Sequence, residues 1–283
     1  SPVLSGQSPS SQCWLYDAFG TQIRYYLHRM STDLPLSIRA RSLRAWYRRS
    51  LGRQLADVES SVLAEQLTNL FGYHLVIVDP PWEHLNLGDS RIAHHVVQRI
   101  GSRRHPDTGL VADTENWPLL TDTIDTIILP HTLELARDPH QVLREADRCL
   151  VPDGHLVIIG FNPRSLWGIR RLLARKRGKL PWDTRFQSLG RIKDWLGLLG
   201  FDTLHTQYLF QRPPVQSERI LEKMRFMEPV DGVGSMLLSA AYILVARKRT
   251  VIMTPLRGIQ RSKQRLFPVG IPSSSQGNVR RSR

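Results

Sequence analysis

The stretch Ile124–Phe161, IDTIILPHTLELARDPHQVLREADRCLVPDGHLVIIGF, decides the fold. Ile124 to Pro130 is a short apolar run ended by a proline, so it reads as a buried strand. Asp138 and Pro139 then open a helix, the aspartate as N-cap and the proline at the first position, where a missing N–H costs nothing. Val142, Leu143, Ala146, Cys149 and Leu150 give that helix its inner face. Val-Pro-Asp-Gly at 151–154 makes a tight turn, and His155 to Phe161 is a second buried strand. Strand, helix and strand with short links predict parallel pairing through a right-handed crossover. A parallel sheet covered on both faces explains why these runs are apolar throughout rather than alternating.

The pattern continues in both directions. Upstream, Arg39 to Phe71 reads as helix, with Leu55, Val58, Val62, Leu63, Leu67 and Leu70 at spacings of three and four and Gly72 as its stop. A buried strand over 74–79 follows, then a strand at His94 to Ile100 and a short one ending near Asp113. Downstream, a basic segment covers 162–193, a helix 190–199 leads through Gly200 into the strand FDTLHTQYLF, segment 216–227 is helical, and a last strand covers 236–247. The expected organisation is a flexible arm over 1–38, a helical extension over 39–72, one α/β domain over 73–249 with the basic insertion 162–193, and a basic disordered tail over 250–283.

Composition narrows the class. The chain has 283 residues, 41% hydrophobic and 23% charged, as an ordinary globular protein does. Two cysteines, Cys13 and Cys149, argue against a disulfide framework and for a reducing, cytoplasmic setting, and no Cys/His spacing marks a zinc site. The longest uncharged apolar run, Gly232 to Ala246, falls short of the ~20 residues of a membrane-spanning helix, and the Ser-rich start lacks a signal-peptide pattern. The net charge of +14 is concentrated: Arg164 to Lys193 holds ten basic residues against one acid, and Arg249 to Arg283 holds eight against none. Both zones suit an anionic surface, nucleic acid or phospholipid.

Asp113 followed by Trp117-Pro118, the strand opening Ile124-Asp125, the loop His131 to Glu134, the helix ending Arg148-Cys149-Leu150 and the turn Pro152-Asp153-Gly154 resemble, in order and spacing, the class I S-adenosylmethionine-dependent methyltransferases of the type 11 group. LFGYHL at 70–75 and FNPRSLWGIRR at 161–171 are similar to its proteobacterial YafS-like subgroup. The resemblance implies a Rossmann-like α/β fold, S-adenosylmethionine as cofactor and a small acceptor, anionic or lipid-like. It implies that Val78, Asp79 and Pro80 border the methionine part, Gln98 the ribose, Asp113 and Thr114 the adenine, and Leu129 and Pro130 the far wall of the crevice. His131 would take a proton from the acceptor, with Glu134 beside it.

Two departures stand beside this. Where the family carries G-x-G-x-G, this chain has Asp79-Pro80-Pro81-Trp82-Glu83, and Asp79 takes either the place of the usual acid or that of the first glycine. Where an acid holds the ribose hydroxyls, the second strand offers Gln98. Two other readings remain: a non-catalytic relative of the fold that binds RNA, lipid or protein, and an adenine amino-methyltransferase using Asp-Pro-Pro-Trp as its catalytic motif. The methyltransferase reading requires a crevice beyond Val78, left open by Trp82 and giving room beside Asp113.

Overall fold

Consecutive residues of the central strands pack into two different cores, as the unbroken apolar runs require. In β1 (His74–Val78), Leu75 and Ile77 enter one cluster and Val76 and Val78 the other. In β4 (Ile124–Pro130), Ile128 joins the first and Ile127 and Leu129 the second. The computed structural model describes residues 35–82, 87, 90–101, 109–174, 181–214 and 233–250.

The remaining strands are β2 (His94–Arg99), β3 (Leu110–Val111), β5 (Leu150–Phe161), β6 (Phe201–Leu209) and β7 (Ala241–Lys248). They form one sheet in the order β3-β2-β1-β4-β5-β7-β6. Pairing is parallel from β3 to β5, and β7 runs antiparallel to both of its neighbours. The helices are α1 (Leu36–Tyr47), α2 (Ser50–Leu67), α3 (Thr132–Leu135), α4 (Pro139–Cys149), α5 (Leu166–Ala174), α6 (Leu189–Leu198) and α7 (Val233–Leu238). The first core takes in α1 and α2, the second α4 and α6.

Local chemistry fixes the register. Asp125, at the start of β4, accepts the backbone N–H groups of Tyr73 and His74 at 3.0 and 2.9 Å and ties the start of β1 to its neighbour. Asp138 caps α4 by accepting from His140 and Gln141, with Pro139 in the first turn as the sequence predicts.

Three elements differ from the sequence expectation. The helix expected over 39–71 is a pair, broken at Arg48 and Arg49. Gly52 allows the break: a Cβ there would lie 2.4 Å from the Trp46 carbonyl oxygen, so only glycine lets α2 fold back this closely on α1. The turn expected at 151–154 is absorbed into β5, with a register irregularity opposite Ile124 and Thr126 and Asp153 at φ 62°. The strand expected over 236–247 begins only at Ala241; before it, α7 is held by the Asn162 amide, which donates to the carbonyls of Met236 and Ser239. The expected arm over 1–38 up to residue 34, the helix over 216–227 and the tail beyond 250 lie outside the described residues.

Candidate active site

The carboxyl ends of β1 and β4 meet where the strand order reverses, the place where open α/β sheets hold their ligands. At both ends the chain turns through a left-handed residue that is not glycine: Asp79 at φ 45° and His131 at φ 55°. Aspartate and histidine tolerate this conformation better than most residues, but it still costs on the order of 1 kcal/mol each. Thr132 Oγ1 donates to the Val78 carbonyl at 3.2 Å and staples the two ends together. Of the two places the sequence leaves open for Asp79, its positive φ favours that of the first glycine.

Asp79 is buried, its backbone N–H donates to the Gln98 carbonyl, and its carboxylate faces two guanidinium groups. Arg44 of α1 lies at 2.5 Å and Arg99 of β2 at 3.8 Å. Burial raises the Asp79 pKa above the usual carboxylate range, and the two arginines pull it back only in part. Arg99 also donates to the Pro80 carbonyl at 2.6 Å. The two acceptors that an adenine amino-methyltransferase would turn toward its target amine are thus both taken by arginine, and the strand order is the unpermuted one.

His131 lies wholly inside the protein, at 0% exposure. Its Nδ1 is 3.1 Å from Glu134 of α3, and its Nε2 is 3.0 Å from Glu59 of α2 and 2.7 Å from the Tyr47 hydroxyl. Tyr47 in turn donates to Glu59 at 2.9 Å. Glu134 also accepts the Phe161 backbone N–H at 2.5 Å. Burial by itself lowers the histidine pKa, but the paired carboxylates of Glu59 and Glu134 outweigh it and raise the imidazole to about 9. Burial and the neighbouring Glu59 push Tyr47 well above its ordinary value, so it stays a neutral donor. The network therefore holds an imidazolium between two carboxylates. It joins both N-terminal helices to the end of β4, with Arg39 adding hydrogen bonds to the carbonyls of Leu135 and Glu134.

At the other half of the edge, Gln98 is buried, donates to the Asp113 carbonyl at 3.2 Å and has no partner for its Oε1 among the described residues. Asp113 is exposed and accepts the Thr114 N–H at 2.7 Å, while Thr114 is buried. Val78, Pro80, Leu129 and Pro130 are buried in the strand ends. Trp82 is buried too and packs on Tyr47, ring centroids 6.1 Å apart. It therefore closes against the helical cover, and Asp113 stays open to solvent. Between cover and loop lies a cleft of about 450 Å³ lined by Tyr47, Arg48, Arg53, Ala56, Asp57, Ser60, Pro81 and Trp82. Among the described residues no cluster of His, Cys, Asp and Glu could hold a metal ion.

Sequence reasoning places Asp79, Gln98, Asp113 and His131 along this edge and misses Arg44, Tyr47 and Glu59. Glu59 does leave a signal: Leu51, Leu55, Glu59, Leu63 and Leu67 form one buried row at spacing four, with an acid at its centre.

A seven-stranded sheet in this order, with one antiparallel strand near its far edge, defines the Rossmann-like class I methyltransferase architecture. Residues 62–158 match a family described as a methyltransferase domain. The Escherichia coli (strain K12) protein YafS is 33% identical over 227 residues, covering 77% of this chain and 82% of YafS. The chain belongs to this methyltransferase-domain family. A Mycobacterium tuberculosis protein, Rv2003c, is 26% identical over 182 residues, 60% of this chain and 61% of its own length. Among solved structures, a chain from the Haloferax volcanii complex of the Trm112 methyltransferase activator aligns with a TM-score of 0.50 at 15% identity, over 74% of this chain and 98% of that one.

S-adenosylmethionine is the cofactor that goes with this domain, and the donor set fits it. An adenosyl group brings hydroxyl donors, and Gln98 Oε1 is a buried acceptor that lacks one among the described residues. A methionine end is a zwitterion, and Asp79 with Arg44, once their own pair opens, would be its complement: a carboxylate for the ammonium and a guanidinium for the carboxylate. No membrane-crossing helix is present among the described residues.

Proposed function

We propose that the protein transfers a methyl group from S-adenosylmethionine to a small anionic or lipid-like acceptor held in the cleft over Trp82. The observation that carries this reading is that the cleft and the Asp79–Arg44 pair share one strand end, with only Pro80 and Pro81 between Asp79 and Trp82. The cofactor, when bound, supplies an electrophilic methyl group on a sulfonium. Everything else is alignment by the chain's own residues, from which most methyl transfers draw the greater part of their acceleration. Gln98, Asp113 and Thr114 hold the adenosyl part, and Val78, Asp79, Pro80, Leu129 and Pro130 shape the wall beside the methionine part. Among the described lining residues, Arg48 and Arg53 against Asp57 give the cleft a positive balance suited to an anionic acceptor.

His131 acts in this reading through Tyr47. An imidazolium with both nitrogens engaged is not a base at neutral pH; it fixes the hydroxyl of Tyr47, a residue of the cleft lining. A cytoplasmic setting accords with the buried free thiol of Cys149.

Calorimetric titration with S-adenosylhomocysteine tests the proposal. Saturable heat is expected in the micromolar range. No heat at about 1 mM ligand, the concentration matching a binding free energy of about −4 kcal/mol, would overturn it. The non-catalytic reading then takes its place.

A further inference from the structure

The helix α5 turns the wrong face to water. Its buried side is locked. Trp167 is fully buried, edge-on to Trp46 at 6.1 Å and tilted on Trp182 at 5.4 Å, and its Nε1 donates to the Arg212 carbonyl at 2.7 Å. Gly168 lies so close to Pro163 that a Cβ would sit 1.9 Å from the Pro163 carbonyl oxygen. With that side fixed, helical geometry sends Leu166, Ile169, Leu172 and Leu173 to one arc of the opposite side. They are 40%, 56%, 64% and 76% exposed. Single exposed leucines are ordinary, but four large aliphatic side chains on one face of a nine-residue helix form a patch that calls for a partner.

The flanks are cationic. Arg164 is exposed at the helix start. Arg170 borders the arc, while Arg171 lies on the far side of the helix; both pack over rings, those of Trp182 and Phe186 at 5.1 and 5.2 Å, and donate to the carbonyls of Pro214 and Thr184. In sequence, Arg164 to Lys193 carries ten basic residues and the single acid Asp183, so the segment keeps a strong positive excess.

We propose that α5 docks the protein peripherally on an anionic phospholipid surface, with the aliphatic arc entering the headgroup boundary and the positive excess of the surrounding segment, Arg164 included, drawn to lipid phosphates. A bilayer takes both parts of this face at once. Nucleic acid would take the cations and leave Leu166, Ile169, Leu172 and Leu173 in water. The helix starts five residues after Phe161, whose ring lies 4.2 Å from His131, so docking brings the carboxyl edge of the sheet to the membrane. Docking of this kind goes beyond methyl transfer and does not depend on it.

The test uses the full chain and a triple variant, Ile169→Ser, Leu172→Ser and Leu173→Ser, which keeps every cation. Both are sedimented with vesicles of phosphatidylcholine alone and of phosphatidylcholine with phosphatidylglycerol in equal parts. The wild type is expected on anionic vesicles about tenfold or more over neutral ones, and the variant, with an unchanged melting temperature, is expected to lose about tenfold of that binding. Equal binding by variant and wild type would assign the attraction to charge alone and overturn the proposal. A wild-type dimer that the variant abolishes, with no vesicle binding by either, would assign the face to a second copy and overturn it equally. Loss of cofactor binding leaves this result untouched, so the two readings fail separately.

Discussion

The two halves of the sheet's carboxyl edge are built by different means. At the ends of β2 and β3, Gln98 has a buried acceptor with no partner among the described residues and Asp113 stays exposed, with the sheet itself supplying the framework. At the ends of β1 and β4, Asp79, His131 and Glu134 are each engaged by a side chain from α1 or α2 or by backbone nearby. This contrast gives the loss of the glycine loop its meaning. A glycine loop binds a ligand with bare backbone; here two left-handed non-glycine residues end the strands, and charged side chains from the N-terminal helices do the furnishing. In the proposed reading the helical pair is part of the site, and one imidazolium joins the cover to the end of β4.

Removing Glu59 challenges that linkage most severely. Glu59→Leu leaves the buried His131 with one carboxylate and removes the carboxylate to which Tyr47 donates. Removing one partner of a buried ion pair costs about 3–5 kcal/mol, and urea denaturation at neutral pH should show a shift of the midpoint to match. An unchanged midpoint would mean that α2 is held by its leucine row alone.

A somewhat smaller effect comes from pH. The folded-state pKa of His131, about 9, lies above its ordinary 6.5, so the stability it contributes is complete below pH 6.5 and is lost as pH rises through 9. A tenfold change in proton affinity is worth about 1.4 kcal/mol, so the loss is on the order of 3 kcal/mol. Among the described residues, the titratable groups that face the ring are Glu59, Glu134 and Tyr47; Tyr47, raised well above its ordinary value, stays neutral through this window. Unfolding free energy measured from pH 6 to 10 should therefore fall in the wild type and lie nearly flat, at a lower level, in His131→Gln. Parallel curves would show that another group titrates.

Much of this is legible in the sequence, and the reasons differ by residue. The strands are legible because parallel strands covered on both faces are apolar without a break, and Asp138-Pro139 spells a helix start by itself. Gln98 and Asp113 are legible because they sit at strand ends, where position along the chain fixes position in the sheet. Arg44 and Tyr47 are not, because their placement depends on the break at Arg48 and Arg49 and on the absence of a Cβ at Gly52, which turn a single amphipathic helix into a folded pair. The sequence puts His131 at the strand end but hides its surroundings: Glu59 lies 72 residues away, and only its position in a row of leucines marks it. The extent of β5 and the start of β7 escape for a related reason, since Asp153 and Asn162 act through long-range pairing that local propensity does not contain.

The two halves can also be separated by ligand. S-adenosylhomocysteine has an amino-acid end, and methylthioadenosine lacks one; both have the ribose. Gln98→Ala removes the buried acceptor and should weaken both ligands alike, by about tenfold or less, the worth of one to two hydrogen bonds. Arg44→Met should weaken S-adenosylhomocysteine by a similar factor, because a charge-assisted bond is lost but the Arg44–Asp79 pair no longer has to be opened, and should leave methylthioadenosine unchanged. Calorimetry on the four combinations gives the answer. If Arg44→Met tightens both ligands, the arginine blocks the β1 end rather than furnishing it, and the helical cover is a plug that the cofactor must displace.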